Sequence, residues 1–253
     1  MRYLLLSDVH GNAVALEAVL RHAKTKRWDK VIFLGDAVGY YSQPNEVVQL
    51  IRELNPIISI IGNHEDLLIK FMAEPHHMAL KEDSIVSEVI QIHAGQITPD
   101  NMVFIRELKD RVICDTWEVT HGGLRAQWEY LSTLQNAQSN AAFMQRDLCF
   151  IGHTHVPIIY ASVETPKGEM WRTLPFKNTQ MTYRLPPKAK IFFNPGSVGQ
   201  PRDGIALASY AIFDEDLRSI DHFRVEFDIF QVQRLLREQN YPEVLGKRLV
   251  VGK

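Results

Sequence analysis

Short apolar runs that stop at Asp, His or Asn are the strongest constraint this sequence places on its fold. Residues 3–6 run into Ser7-Asp8-Val9-His10-Gly11-Asn12, residues 31–34 into Gly35-Asp36, and residues 57–61 into Gly62-Asn63-His64-Glu65. An apolar run of this length is what a strand buried on both faces requires. After the first run, Asn12 is placed to cap a helix whose core face is Leu16, Val19, Leu20 and Ala23. After the second, Pro44 suits a first helical turn, and Val47, Leu50, Ile51 and Leu54 repeat the stripe. Strand and helix alternating in this way predict a parallel sheet with right-handed crossovers.

The pattern then changes. Residues 67–108 read as helical, with Pro75 and Pro99 marking turns or helix starts. Residues 118–121, 147–159, 191–194, 206–213 and 219–227 read as strands with few helices between them. They predict a second, largely antiparallel or mixed sheet packed on the first. Residues 164–190, rich in Pro, Thr and charge, read as a cap or an excursion from one sheet edge. Residues from about 229 to 245 read as an amphipathic C-terminal helix. With no internal repeat and no flexible linker, one domain over 1–253 is expected.

Composition narrows the function classes. Hydrophobic residues make up 45% and charged residues 23% of the 253, with a formal net charge of −2. That is globular usage and excludes a disordered or low-complexity chain. The near-neutral balance, without a Lys/Arg run, tells against long nucleic acid as a partner. Cys114 and Cys149 are isolated and lack metal-ligand spacing, which fits a reducing compartment. The apolar start meets Asp8 and His10 far short of the ~20 residues of a membrane span, and it lacks signal-peptide features. A cytoplasmic protein with no membrane partner is expected.

Two later strands also end in polar clusters, Thr120-His121-Gly122-Gly123 and Gly152-His153-Thr154-His155. In open α/β sheets ligands bind outside the carboxyl ends of strands. Five strand ends therefore deliver Asp, His, Asp, Asn, His, His and His to one edge. Each cluster alone reads as an ordinary turn; the whole ordered set is far harder to obtain by chance.

That series, over residues 1 to about 228, resembles the calcineurin-like metallophosphoesterases. The stretch Asn194-Pro195-Gly196-Ser197-Val198-Gly199-Gln200-Pro201-Arg202-Asp203-Gly204 is similar to their small prokaryotic phosphodiesterase branch, which includes diadenosine tetraphosphate hydrolases. The resemblance implies an α/β fold, called α+β in some schemes: a four-layer αββα sandwich of two mixed β-sheets flanked by helices. It also implies two divalent metal ions per chain. Asp8, His10, Asp36 and His155 would hold one, and Asp36, Asn63, His121 and His153 the other, with Asp36 bridging. Imidazole and carboxylate donors without thiolate suit Mn²⁺, the expected ion, with Fe, Zn²⁺ or Ni²⁺ as alternatives. A metal pair lowers the pKa of a bridging water and clamps the attacking and leaving oxygens. The implied reaction is attack of a metal-bridging hydroxide on a small phosphorylated substrate, a nucleotide-type ester or anhydride. His64 would be the catalytic non-ligand histidine, stabilising the phosphoryl oxygen or protonating the leaving oxygen. Asn63, His64, Tyr40 and Arg202 are the candidate substrate contacts.

The sequence departs from the wider family in one place. Many phosphatases carry a second Asp three residues after the Gly-Asp aspartate, followed by Arg, whereas this chain has Asp36-Ala37-Val38-Gly39-Tyr40-Tyr41. Glu65 and Arg202 are candidate replacements. The departure weakens a phosphomonoesterase or protein Ser/Thr phosphatase reading more than a phosphodiesterase one. A non-catalytic scaffold on the same fold is the contrasting reading, opposed by the filled ligand positions. His22, His76, His77, His93 and His222 match no motif and read as surface or satisfied core groups. Trp171, Phe176 and Tyr183, interspersed with Arg172, Lys177 and Arg184, read either as a base-stacking patch or as self-burying aromatics. The tail residues Leu235, Leu236 and Tyr241 either cover the sheet or meet a partner chain, which leaves the oligomeric state open.

Overall fold

The computed structural model describes residues 1–74, 84–166 and 168–253. Its organising strand is β1 (Arg2–Leu6), whose alternate residues serve two different cores. Leu4 and Leu6 pack with Leu16 and Val19 of α1 (Ala13–Ala23) and with Val47 and Ile51 of α2 (Pro44–Glu53). Tyr3 and Leu5, on the opposite face, pack with Val119, Phe150 and Phe193 of the second sheet. This is the period-two alternation of a strand read from both sides.

On one side of β1, the strands β2 (Lys30–Phe33) and β3 (Ile58–Ser59) follow in parallel, as the alternating pattern requires. On its other side lie three antiparallel strands from the far end of the chain. Counting outward they are β11 (Ala208–Asp214), β12 (Ser219–Val225) and β9 (Gln180–Arg184). The second sheet has the order β4-β5-β6-β10-β7-β8. It comprises β4 (Arg111–Ile113), β5 (Glu118–Thr120), β6 (Leu148–Phe150), β10 (Ile191–Asn194), β7 (Ile158–Thr165) and β8 (Gly168–Pro175). Its β5, β6 and β10 run parallel and the remaining pairs antiparallel. Both sheets are thus mixed. Helix α6 (Leu134–Asn140) covers the outer face of the second sheet through Ala137, over Cys149, Tyr160 and Phe192. With α1 and α2 on the outside of the first sheet, the result is an αββα sandwich.

Among the described residues, the helical stretch predicted over 67–108 comprises three helices: α3 (Asn63–Ala73), α4 (Ile85–Gln96) and α5 (Pro99–Glu107), the last with Pro99 in its first turn. Pro75, His76 and His77 lie outside the described residues. Asn12 caps α1, its Oδ1 accepting the Ala15 N–H at 3.1 Å.

Elsewhere the expected boundaries shift. Residues 147–159 are not one strand but β6 and β7 with a loop between them. His153 and His155 there have φ of 68° and 59°, which extended chain does not allow. Residues 164–190 bridge the two sheets. Their β8 pairs along its length with β7, and their β9 pairs with β12 of the first sheet. Both are edge strands exposed along much of their length, which is why no core stripe marks them. The single tail helix expected at 229–245 is two helices, α7 (Ile229–Glu238) and α8 (Glu243–Val251). Asn240, at φ 57°, and Pro242 break it. Strand β4 carried no sequence signal. Among the described residues, no helix is long and apolar enough to cross a membrane.

Candidate metal centre

Five strand ends meet at one edge of the sandwich. The turn after β1 carries Asp8 and His10, the turn after β2 carries Asp36, and α3 opens with Asn63 and His64 directly after β3. His121 follows β5, and His153 and His155 occupy the loop after β6. Asp8, His10, Asp36 and His155 each bring a ligand atom within 4.8 Å of the others, and Asp36, His121 and His153 do the same. The two groups share Asp36, and all six residues are buried.

Backbone conformation puts these side chains at the edge. Asp8, His10, Asp36, Tyr40, His153 and His155 all have φ between 52° and 68°. A non-glycine residue in this left-handed region costs roughly 1–2 kcal/mol. Such conformations concentrate where the surrounding structure over-determines them. Close approach requires glycine at several of these turns, Gly62 and Gly39 among them. A Cβ on Gly62 would lie 2.0 Å from Asp36 Oδ1, and one on Gly39, at φ +97°, would lie 2.2 Å from His64 Nδ1.

Hydrogen bonds to carbonyl oxygens, which only accept, set the imidazole tautomers. His10 Nδ1 donates to Val38 O at 2.9 Å, His121 Nδ1 to Leu34 O at 2.7 Å and His155 Nδ1 to Gln200 O at 2.7 Å. In each case Nε2 is left to face the cluster. His153 is reversed: its Nε2 donates to Trp128 O at 3.0 Å, which leaves Nδ1 as the inward atom.

The result is an excess of electron-donating atoms. His10 Nε2 and His155 Nε2 lie 3.0 Å apart. Burial, the leading cause, holds both rings well below the usual histidine range and therefore neutral. Two lone pairs then point at one another across a gap that suits a cation. Asn63 Oδ1 is a buried carbonyl oxygen without a hydrogen-bond partner. Asp36 Oδ2 lies 3.5 Å from His10 Nε2 and 3.2 Å from His121 Nε2, and Asp8 Oδ1 lies 3.4 Å from His155 Nε2. Carboxylate, amide and imidazole donors without thiolate, several of them lacking partners, fit divalent metal ions.

The charges respond to this crowding. Burial, helped by the Asp36 charge, raises Asp8 to about 7. Burial acts the same way on Asp36, but the positive charge of His121 outweighs it and holds that carboxyl well below its usual range. For His121, burial favours the neutral ring, yet Asp36 and Asp8 raise it to about 9. His153 is lowered to about 3, chiefly by burial.

His64 does not enter either ligand group. Its N–H donates to Asp36 Oδ1 at 3.0 Å, and its ring packs 4.6 Å from His10 and 4.7 Å from Tyr40. Burial lowers its pKa to about 4, against the opposing charge of Asp36. Glu65, one candidate to replace the missing acid, has another task. Its buried carboxylate accepts the N–H groups of Asp36 and Gly62 at 2.8 Å and of Val38 at 2.9 Å, which ties the β2 turn to the start of α3. Arg202 stands at the rim, 5.3 Å over the Tyr40 ring, with Nε and Nη2 donating to Gln200 Oε1 at 3.0 and 2.6 Å.

Sequence reasoning missed several members of this arrangement. The 194–204 stretch works as a clamp. Asn194 Nδ2 donates to Gly152 O at 2.6 Å, Ser197 Oγ to Asp8 O at 2.6 Å, and the Gly199 N–H to the same Asp8 oxygen at 3.0 Å. Tyr130, stacked on His153 with ring centroids 3.9 Å apart, had no sequence signal. The proposed base-stacking aromatics lie elsewhere: Phe176 is buried between the sheets, Tyr183 packs against the same core, and Trp171 packs on the outer face of the second sheet. Of the unassigned histidines, His93 is buried with both ring nitrogens bonded, to the Gly39 N–H and Tyr41 O. His222 is buried against Ser209, and half-buried His22 bonds Tyr210.

Comparison with known proteins agrees with this geometry. The family model described as the calcineurin-like phosphoesterase superfamily domain matches residues 1–217. An uncharacterized protein of Methanocaldococcus jannaschii is 35% identical over 253 residues, covering 98% of this chain and 97% of its own. The crystal structure of a metallophosphoesterase from Sphaerobacter thermophilus is 36% identical, covers 100% of both chains and superposes with a TM-score of 0.85. Phosphodiesterase YfcE of Escherichia coli (strain K12) is 24% identical over 229 residues, covering 87% of this chain and 91% of its own.

Proposed function

The chain belongs to the calcineurin-like phosphoesterase superfamily and is a metal-dependent phosphoester hydrolase; from that premise we propose that it is a phosphodiesterase acting on small nucleotide-type esters or anhydrides at a dinuclear site. The observation that carries this reading is the overlap of two ligand groups at Asp36. Asp8, His10, Asp36 and His155 would hold one ion, and Asp36, Asn63, His121 and His153 the other. Divalent ions there supply positive charge that lowers the pKa of a bound water and draws in the phosphate. Mn²⁺ is the ion we expect.

The remaining residues orient and bind. Glu65 and the 194–204 clamp fix the turns that carry Asp36 and Asp8, so the ligand atoms are set before substrate arrives. His64, neutral because of its burial, donates a hydrogen bond to an oxygen of the reacting phosphoryl group. Arg202 and Tyr40 line the approach, and Asn63, whose Oδ1 is buried without a partner, would serve metal and substrate. Gly39 and Tyr40 occupy the places where many phosphatases carry a second Asp and the Arg that follows it. A diester, with one charge fewer than a monoester, suits a site that lacks that Asp and its Arg. The relationship to phosphodiesterase YfcE is in keeping with this preference.

The test is a panel of aryl monoester, aryl diester, dinucleoside polyphosphates and cyclic nucleotides with Mn²⁺. Turnover of diester or polyphosphate above monoester is expected. Asp36→Asn should lose metal and most of the turnover. Faster turnover of the monoester would overturn the diesterase preference, and full activity of chelated protein would overturn the metal reading altogether.

A further inference from the structure

We propose that Tyr130 is an aromatic platform that gives this site a preference for phosphate esters carrying a nucleobase or similar planar ring. The inference rests on the phosphoester-binding part of the reading above and deepens it by naming the residue that would read the base of a nucleotide-type substrate.

Tyr130 combines two properties rarely found together. Its ring is stacked on His153 at 3.9 Å and 27°, which covers one face with a member of the metal cluster. The residue is nevertheless 50% exposed, so part of its surface is open to solvent. A large aromatic left half-exposed at the mouth of a polar site has apolar surface to offer a ligand. Face-on contact with a base is worth a substantial part of a nucleotide's binding energy and does not depend on which base is present.

The stretch that carries the platform is braced by hydrogen bonds. Tyr130 sits in an irregular stretch between β5 and α6, and Asn140 of α6 braces that stretch from below. Asn140 Oδ1 accepts the N–H groups of Leu124 and Arg125 at 2.8 and 2.9 Å, and its Nδ2 donates to Glu129 Oε2 at 3.1 Å. Glu129 O in turn accepts the Gly123 N–H at 3.0 Å. Next to it, Trp128 adopts φ 62° so that its carbonyl can receive His153 Nε2. A side chain supported in this way loses little freedom when a ligand stacks on it.

Arg202 completes the recognition. Its guanidinium is fixed by Gln200 and lies over Tyr40, whose ring packs on His10 and His64. A cation thus stands beside the metal cluster at the rim, as the phosphate of such a ligand would require. An alkyl phosphate would use only the cation and the metal cluster.

The test measures binding by calorimetry to the Mn²⁺-loaded protein, with AMP and ribose 5-phosphate as probes that share a phosphate and differ in the base. Metal content is determined for every variant. The wild-type protein should bind AMP roughly 10-fold more tightly than ribose 5-phosphate. Tyr130→Ala should abolish that difference while keeping its metal and its ribose 5-phosphate affinity, and Tyr130→Phe should preserve it. Equal binding of the two probes by the wild type, or undiminished AMP preference in Tyr130→Ala, would overturn the inference. So would loss of metal together with an equal loss of both affinities, which would make Tyr130 a shield for His153. Failure of the phosphodiesterase reading is separate: a protein with the expected AMP preference but no diester turnover would refute that reading and leave the platform standing.

Discussion

His10 and His155 present their Nε2 atoms to one another at 3.0 Å, each ring donating its Nδ1–H in a hydrogen bond to a backbone carbonyl. Two neutral imidazoles in this arrangement repel unless a cation lies between them. Metal should therefore stabilise the fold as well as serve the chemistry. At 100 times its Kd, a ligand that binds only the native state adds about 2.7 kcal/mol. For a chain of this size that is a rise in Tm of roughly 5–10 °C. Thermal unfolding with Mn²⁺ and with chelator should show it, and His155→Ala should lose much of the rise. A wild-type Tm indifferent to Mn²⁺ would contradict the reading of this pair.

His64 touches both groups' surroundings without joining them: its N–H holds Asp36 Oδ1 while its ring packs on His10 and Tyr40. His64→Ala should keep its metal and lose kcat by roughly 10²–10³-fold, the cost of removing one donor to a developing oxyanion. A donor of this kind serves good and poor leaving groups alike. Turnover of aryl diesters with graded leaving groups checks the point. A loss that grows steeply as the leaving group worsens would instead make His64 a leaving-group acid.

The difference between what was legible in the sequence and what was not follows from where information about each residue resides. Asp8, Asp36 and Asn63 stand directly after apolar runs, so local pattern alone placed them on strand ends. His153 and His155 were placed at the right edge but on a strand wrongly continued through them, because a positive φ at two histidines leaves no trace in hydropathy. β8 and β9 are edge strands with exposed faces and no apolar alternation to read. Glu65 reads from the sequence as a candidate replacement for the missing acid, but its partners are the backbone N–H groups of residues 36, 38 and 62, which sequence spacing cannot reveal. Tyr130 reaches His153 only through the packing of an irregular stretch against α6.

Glu65 should be more costly to alter than its lack of direct chemistry implies. Its two carboxylate oxygens accept three backbone N–H groups in a buried setting. Glu65→Gln keeps the volume but turns one acceptor into a donor, which leaves at least one N–H facing another. An unsatisfied buried donor costs about 1–3 kcal/mol. Urea unfolding of metal-free protein should show a destabilisation of that size, together with weaker Mn²⁺ binding as the Asp36 turn loosens. Unchanged stability and metal affinity would mean that the Asp36 turn does not depend on the carboxylate.

His121 makes metal binding depend on pH in a definite direction. Burial disfavours its charged form, but Asp36 and Asp8 raise its pKa to about 9, so the metal-free ring is protonated at neutral pH. Binding a metal at Nε2 must expel that proton. Mn²⁺ affinity should therefore rise with pH up to about 9 and level off beyond. Proton release, from calorimetry in buffers of different ionisation enthalpy, should include about one proton from His121 at pH 7.5 and lose it near pH 10. The same shift has a sign for stability without metal. A histidine whose folded pKa lies above the unfolded value of about 6.5 stabilises the fold fully below that pH and loses the contribution as pH rises through about 9. Chelated protein should thus become less stable between pH 6.5 and 9. His121→Gln, which cannot carry the proton, should flatten that part of the profile and remove its share of the proton release. An unchanged slope in this variant would show that another group carries the proton.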